Sequence, residues 1–278
     1  MNNLCLTDEE FTLISNLVYE KCGIKLGKQK RTLLMGRLQK IVSQGGFESF
    51  KDYYHYVLRD TSGNALKILV DRISTNHTYF FRESDHFNFL SSTVLPEIEA
   101  KLRKNRKNAI RIWSAGCSSG EEPYTLAMLL SNYFGSRISK MDIGILATDI
   151  AVSALERAVS GIYPPESMDR VPPLYRTKYF TMAPDGSGLV KENIKQMILF
   201  RRLNLIQPNY PLKGSFQVIF CRNVMIYFDK ATQKAVVERF YRYTEPEGYL
   251  FIGHSETIDR SSGLYQYVRP SVHRKIQK

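Results

Sequence analysis

From about residue 109 the chain alternates. Four apolar, strand-like runs, AIRIWSA (109–115), IGILATDI (143–150), QVIFCRN (217–223) and YLFIGHS (249–255), are separated by amphipathic stretches with helical spacing. This alternation predicts an α/β domain, a parallel sheet with helices on both faces. The first ninety or so residues have a different character and read as helices. Thr7-x-x-Glu10 is a capping box, followed by Phe11, Ile14, Leu17 and Val18 at helical spacing. Leu33, Leu34, Leu38, Ile41 and Val42 then share one face, and Gly45-Gly46 closes that helix. Two further short helices are expected in SFKDYYHYVLRD and SGNALKILVDRIST. The expected division is a helical domain over 1–90 and an α/β domain over 91–278. Within the latter, PDGSG marks a turn in a small β subdomain at about 178–202. The terminal LYQYVRPSVHRKI reads as an antiparallel hairpin at the sheet edge.

Ligands of open α/β sheets bind beyond the C-terminal ends of the strands. After the first run comes WSAGCSSGEEPYT (113–125). A glycine-rich turn entering a helix commonly cradles phosphate, but such a turn carries a lysine, and this one carries Glu121 and Glu122 instead. Small residues let the backbone approach a ligand closely, while the carboxylates repel polyphosphate. Asp149 ends the second run, where an acidic side chain accepts from both ribose hydroxyls; locally it serves equally well as a helix cap. Together the two loops point to a nucleoside bearing positive charge in place of phosphate, a description that S-adenosylmethionine meets and NAD does not.

The formal charge of +12 implies an anionic partner without choosing among nucleic acid, a membrane surface and acidic protein. Lys25, Lys28, Lys30, Arg31, Arg37 and Lys40 crowd one N-terminal stretch. Lys101, Arg103, Lys104, Arg106 and Lys107 form a second group, read as a solvated helix end. No apolar run reaches the length of a membrane span, and MNNLCLTDEE lacks the features of a secretory signal. Cys5, Cys22, Cys117 and Cys221 are dispersed, which indicates neither a zinc site nor a disulfide framework and fits a reducing cytoplasm.

ISTNHTYFFRE (73–83), WSAGCSSGEEPYTLA (113–127), ATDI (147–150), CRNVMIYFD (221–229) and GHSE (253–256), in this order over nearly the whole chain, resemble the CheR-type chemoreceptor glutamate methyltransferases. The resemblance implies a Rossmann-like class I methyltransferase sheet behind an N-terminal all-α domain. It also implies transfer of methyl groups from S-adenosylmethionine to glutamate side chains of chemotaxis receptors, with S-adenosylhomocysteine as product. Carried over by residue, Asn76, Thr78 and Arg82 reach the cofactor from the interdomain side. Glu122 binds its amino-acid end with Glu121 beside it, Asp149 the ribose, Asn204 and Leu205 the adenine region, and Asn223 and Val224 the methionine portion. No metal site is implied.

A glutamate is already ionised at neutral pH, so methylation of its carboxylate needs alignment and exclusion of water more than a catalytic base. Arg82 is expected to orient the incoming carboxylate or bridge it to that of the cofactor, and Tyr227 to wall the methyl-transfer pocket. Cys117 and Cys221 lack a histidine base and are not read as nucleophiles. Lys28, Lys30, Arg31, Arg37 and Lys40 are expected to dock the glutamate-rich helical bundle of a receptor. The expected protein is a cytoplasmic monomer associating with membrane-bound receptors and not itself inserted in the membrane. TMAPDGSGLVKENIK departs from the glycine pattern with which some relatives grip a receptor's tethering pentapeptide, so docking independent of such a tether is expected. The competing readings are a nucleic-acid methyltransferase and a non-catalytic cofactor-binding module. CRNVMIYF lacks the proline pair of amino-methylating enzymes, which counts against the first and against nucleic acid as a partner.

Overall fold

The computed structural model describes residues 4–277. Residues 1–3 and 278, at the ends of the two expected domains, lie outside the described residues. Helix α1 (Asp8–Cys22) starts at the expected capping box: Thr7 Oγ1 accepts from the Glu10 amide at 3.2 Å and Glu10 Oε2 from the Thr7 amide at 2.8 Å. Helices α2 (Arg31–Gln44), α3 (Phe50–Arg59) and α4 (Asn64–Ile73) complete a bundle around Ile14, Val18, Leu34, Leu38, Val42, Phe50 and Leu69. Leu33 departs from the expected stripe. It is exposed and faces a cleft beside the bundle.

The next segment, α5 (Ser84–Phe89) and α6 (Leu95–Lys104), is joined by a single wide π-helical turn over Leu90–Val94. Phe80, Phe87, Leu90 and Val94 belong to the core of the sheet, whereas Ile73 belongs to that of the bundle. The change of core therefore falls between Ile73 and Phe80, upstream of the division at residue 90 read from the sequence.

The main sheet contains β1 (Ala109–Ala115), β2 (Asp142–Asp149) and further strands reached after α7 (Glu121–Phe134) and α8 (Val152–Ser160). A small antiparallel sheet comes next, β3 (Ile162–Tyr163), β4 (Phe180–Met182) and β5 (Gly188–Val190), with short helices α9 (Pro165–Met168), α10 (Pro173–Tyr179) and α11 (Glu192–Lys195) around it. This subdomain begins earlier and ends earlier than the expected 178–202. Ile198–Arg202 is β6, a parallel edge strand of the main sheet paired with β2. Its more exposed face, with Leu199 and Arg201 outward, gave MILFRR an edge-strand pattern indistinguishable by sequence from a hairpin arm.

Strands β7 (Phe216–Cys221) and β8 (Thr244–Ile252) flank α12 (Lys230–Tyr243), and the chain ends in the hairpin β9 (Tyr265–Arg269) and β10 (Val272–Lys275). The order is β6-β2-β1-β7-β8-β10-β9. The first five are mutually parallel and the hairpin is antiparallel at the edge. Chain order reverses between β1 and β7, so the crevice of a doubly wound sheet opens above their C-terminal ends.

The candidate cofactor cleft

Two loops meet at that reversal. After β1 the chain turns at Gly116 (φ 86°), whose amide and that of Cys117 both donate to the Thr148 carbonyl of β2, at 2.7 and 2.9 Å. A Cβ at Gly116 would lie 2.2 Å from a methyl of Val224 in the loop after β7. The glycine is thus required twice, by its left-handed backbone and by the approach of the second loop.

The loops line a cleft that the helical bundle borders on its far side. It is only partly enclosed, and its lining is drawn from both the bundle and the sheet domain. Asn76, Thr78, Arg82, Glu122, Asp149, Asn204, Leu205, Asn223, Val224 and Tyr227 all line it, as do Lys30 and Arg37 of the basic stretch. Chain elements far apart in sequence are thereby gathered around one space. Glu121 is not part of it. Its carboxylate turns away to the Ser119 hydroxyl, at 2.8 and 3.0 Å.

At the sheet end of the cleft Asp149 is almost wholly buried. Its oxygens accept from the Ser118 amide at 2.8 Å and the Ala151 amide at 2.9 Å. Burial pushes its pKa up against these two amides. The cap of α8 is supplied from elsewhere. Asp71 of α4 accepts from the Val152 and Ser153 amides at 2.7 and 3.0 Å, stapling the bundle to the sheet domain.

Glu122 sits at the start of α7. It accepts from Ser114 Oγ at 2.7 Å and pairs with Arg222 Nη1 at 3.1 Å. Burial raises its pKa, and Arg222 and Ser114 oppose the rise. Arg222, absent from the site residues read from the sequence, is 2% exposed along its side chain and also pairs with Glu83 at 3.0 Å. It donates to the Arg82 carbonyl and lies 5.1 Å from the ring centre of Phe87. Burial alone would raise Glu83, but Arg222 and Asn223 outweigh it and hold the carboxyl low. Only the arginine inside CRNVMIYF could have signalled this, and its burial has no local signature.

Arg82 donates to the His77 carbonyl at 2.8 Å and to Asn223 Oδ1, with Tyr79 beside its guanidinium. Asn223 stands at φ 60° and gives its amide to Glu83 at 3.1 Å. The side chain of Asn204 is turned to the bundle, donating to the Lys21 carbonyl at 2.6 Å, so that its backbone and Leu205 form that part of the cleft wall. Tyr227 is gripped from the bundle too: its carbonyl accepts from the Lys25 amide at 2.8 Å, and Lys30 Nζ lies 5.5 Å from its ring centre.

The basic residues divide. Arg31 is spent on the Leu6 carbonyl and Asp8, and Arg37 on the carbonyls of Ile73 and Ser74 and on Thr75 Oγ1. Lys28 and Lys40 are exposed. Cys117 and Cys221 are fully buried and burial pushes both thiols far up, which leaves no thiolate for attack. Glu83, His86 and His254 bring ligand atoms within 4.8 Å of one another, but Glu83 is already committed to Arg222 and Asn223.

Such a cleft suits a cationic nucleoside: buried Asp149 and partly buried Glu122 in its lining, a backbone approachable at Gly116, and arginines held by protein acceptors. Family models match both parts of the chain, the CheR methyltransferase all-alpha domain over residues 9–74 and the CheR methyltransferase SAM binding domain over 76–273. The chain belongs to the CheR methyltransferase family. It is an S-adenosylmethionine-dependent methyltransferase of the class I fold. Among similar proteins, the "Chemotaxis protein methyltransferase" of Borreliella burgdorferi is 42% identical over 273 residues, covering 98% of this chain and 96% of that one. The "Chemotaxis protein methyltransferase 2" of Vibrio cholerae is 36% identical, over 97% of this chain and 92% of the relative. The "Chemotaxis protein methyltransferase" of Escherichia coli is 35% identical, over 92% and 86%.

Proposed function

We propose that this CheR methyltransferase methylates glutamate side chains of chemoreceptors, and that its substrate is the helical cytoplasmic bundle of such a receptor. The observation that carries the reading is the conjunction, in one cleft, of buried Glu122 and Asp149 with Arg82 and Tyr227, in a chain whose relatives are named for chemotaxis.

When bound, S-adenosylmethionine supplies a sulfonium methyl: the carboxylate oxygen bonds the methyl carbon as the carbon–sulfur bond breaks and its electron pair stays on sulfur. Asp149 holds the ribose, with its ring of backbone amides keeping the carboxylate aimed. Glu122, fixed by Ser114 and Arg222, faces the α-ammonium, and Asn223 and Val224 close on the methionine portion. Asn76, Thr78, Asn204 and Leu205 line the remaining walls. Arg82, held by the His77 carbonyl and Asn223 Oδ1, orients the incoming glutamate; Tyr227 bounds the methyl-transfer space from the bundle side. No residue has to remove a proton. The protein's contribution is alignment and a dry cleft, and good alignment alone lowers a barrier by about 7 kcal/mol or more.

We place the end of the helical domain near residue 75, where the cores change. That domain forms one wall of the cleft, and Lys28 and Lys40 on its exposed surface meet the acidic receptor helix, whereas Arg31 and Arg37 organise the domain itself. Among the described residues no helix is long and apolar enough to cross a membrane. The enzyme works as a monomer in the cytoplasm, against membrane-bound receptors, and without a tethering pentapeptide.

Methyl-labelled S-adenosylmethionine with a receptor cytoplasmic fragment, total RNA and DNA in parallel tests the reading. Base-labile label on the receptor, released as methanol, is the expected result. Label on nucleic acid alone, or none on the receptor, overturns it.

A further inference from the structure

The GHSE run has no role in the site so far described. Its glutamate lies below the loop that carries Asn223 to Tyr227. Glu256 is buried, 7% exposed, and forms no ion pair among the described residues. Its carboxylate instead collects three backbone amides: Oε2 accepts from Asn223 at 3.0 Å and Gly253 at 2.6 Å, and Oε1 from Ile226 at 3.1 Å. An ionised carboxylate forms stronger bonds of this kind than a neutral acceptor.

These bonds span the loop on both sides of Val224. Asn223 stands in the left-handed region, which asparagine tolerates better than most side chains. From that conformation its side chain reaches Arg82 and Glu83. Ile226 immediately precedes Tyr227. Gly253 belongs to the same device: a Cβ there would come within 2.7 Å of Asn223 Nδ2, 2.8 Å of its amide nitrogen and 2.9 Å of Glu256 Oε2.

We propose that Glu256 is a positioning residue for methyl transfer, a buried anionic anchor whose three amide bonds set the Asn223–Tyr227 loop and, through Asn223, the guanidinium of Arg82. The proposal deepens the reading above and rests on it for its catalytic consequence. The anchor requires a charge and two accepting oxygens. A glutamine of the same shape has one accepting oxygen and points its NH₂ at an amide.

In Glu256→Gln, kcat for receptor methylation falls about tenfold or more, since a displacement of about 1 Å at reacting groups is enough for a larger loss. The Kd for S-adenosylhomocysteine rises by less than kcat falls, because Asp149 and Glu122 are untouched. Glu256→Asp, which keeps both oxygens, recovers more activity than glutamine; a filler of space would show the opposite order. Hydrogen exchange of the Asn223, Ile226 and Gly253 amides, measured without turnover, accelerates about tenfold in Glu256→Gln. Gly253→Ala reproduces the kcat-selective loss if the glutamine variant does not fold. Unchanged exchange at these amides, wild-type kcat in either Glu256→Gln or Gly253→Ala, or glutamine outperforming aspartate overturns the proposal. A wild-type enzyme that leaves receptors unmethylated refutes the proposed substrate instead, and the exchange measurement still decides on Glu256.

Discussion

Replacement of Arg222 by methionine isolates the charge that holds the floor of the cleft. Methionine keeps an unbranched apolar side chain but withdraws the guanidinium from the Phe87 ring and from Glu83 and Glu122, the last two at 3.0 and 3.1 Å and at most 14% exposed along their side chains. Leaving buried charges without their partner costs about 3–5 kcal/mol, a large part of the roughly 5–15 kcal/mol that holds a typical domain together. The loss has a pH signature. Without Arg222 burial dominates at both carboxyls, and their folded-state pKa values move above those of the unfolded chain. A group raised in this way favours the fold below its unfolded pKa and loses that contribution as pH rises through the folded value. Arg222→Met is therefore most defective at pH 7 and recovers towards pH 5. Urea unfolding followed by circular dichroism at both pH values measures this, and Glu122→Gln in the methionine background should return more than about 1 kcal/mol. A loss below about 1 kcal/mol at pH 7, or the same loss at both pH values, refutes the reasoning.

Gly116→Ala places a methyl against Val224 in a left-handed backbone, and should abolish S-adenosylhomocysteine binding in calorimetry while leaving the circular dichroism spectrum folded. Asp149→Asn weakens a charged hydrogen-bond set worth about 1.5–3 kcal/mol, so the Kd for S-adenosylhomocysteine should rise about tenfold or more. His86 and His273 are buried, and burial lowers each pKa to about 4 from 6.5. Their contribution is present above pH 6.5 and lost as pH falls through 4; His86→Leu should flatten the acid limb of stability against pH. Association with a receptor fragment should slow as salt rises, and Lys28→Glu with Lys40→Glu should slow it at low salt, in stopped-flow measurements.

The period of the hydrophobic pattern made the sheet legible, because strands buried on both faces read as unbroken apolar runs. It failed at Ile198–Arg202, where an edge strand is covered on one side only and looks like part of the neighbouring β subdomain. The bundle's capping box was visible because it lies within four residues. The boundary between domains was not, since α5 is a helix like those before it and only the partners of Phe87 and Leu90 reveal which core it joins. The cleft residues in glycine and acidic loops were legible for the same local reason. Arg222 and Glu256 were not, because a charged residue in a sequence reads as exposed until distant partners, Glu122 for the first and Asn223 for the second, are seen.

Those two residues explain how the cleft tolerates so many acids. Glu83 and Glu122 share one buried guanidinium, whereas among the described residues Glu256 and Asp149 are bonded by backbone amides. Pairing every carboxylate with an arginine would have neutralised the site and removed its attraction for a sulfonium and an ammonium. Amide dipoles stabilise a carboxylate without adding a cation to the cleft. Burial consequently keeps Asp149, Glu122 and Glu256 all above the ordinary carboxyl pKa; the proposed placement, with ribose hydroxyls donating to Asp149 and the ammonium beside Glu122, would relieve that penalty at both. Cofactor binding should therefore strengthen as pH rises through the raised pKa values of Asp149 and Glu122 in the free enzyme, and calorimetric titration with S-adenosylmethionine across pH 5 to 8 should show protons released on binding at the acid end. Proton uptake there would mean that the cationic ligand is held by something other than these carboxylates.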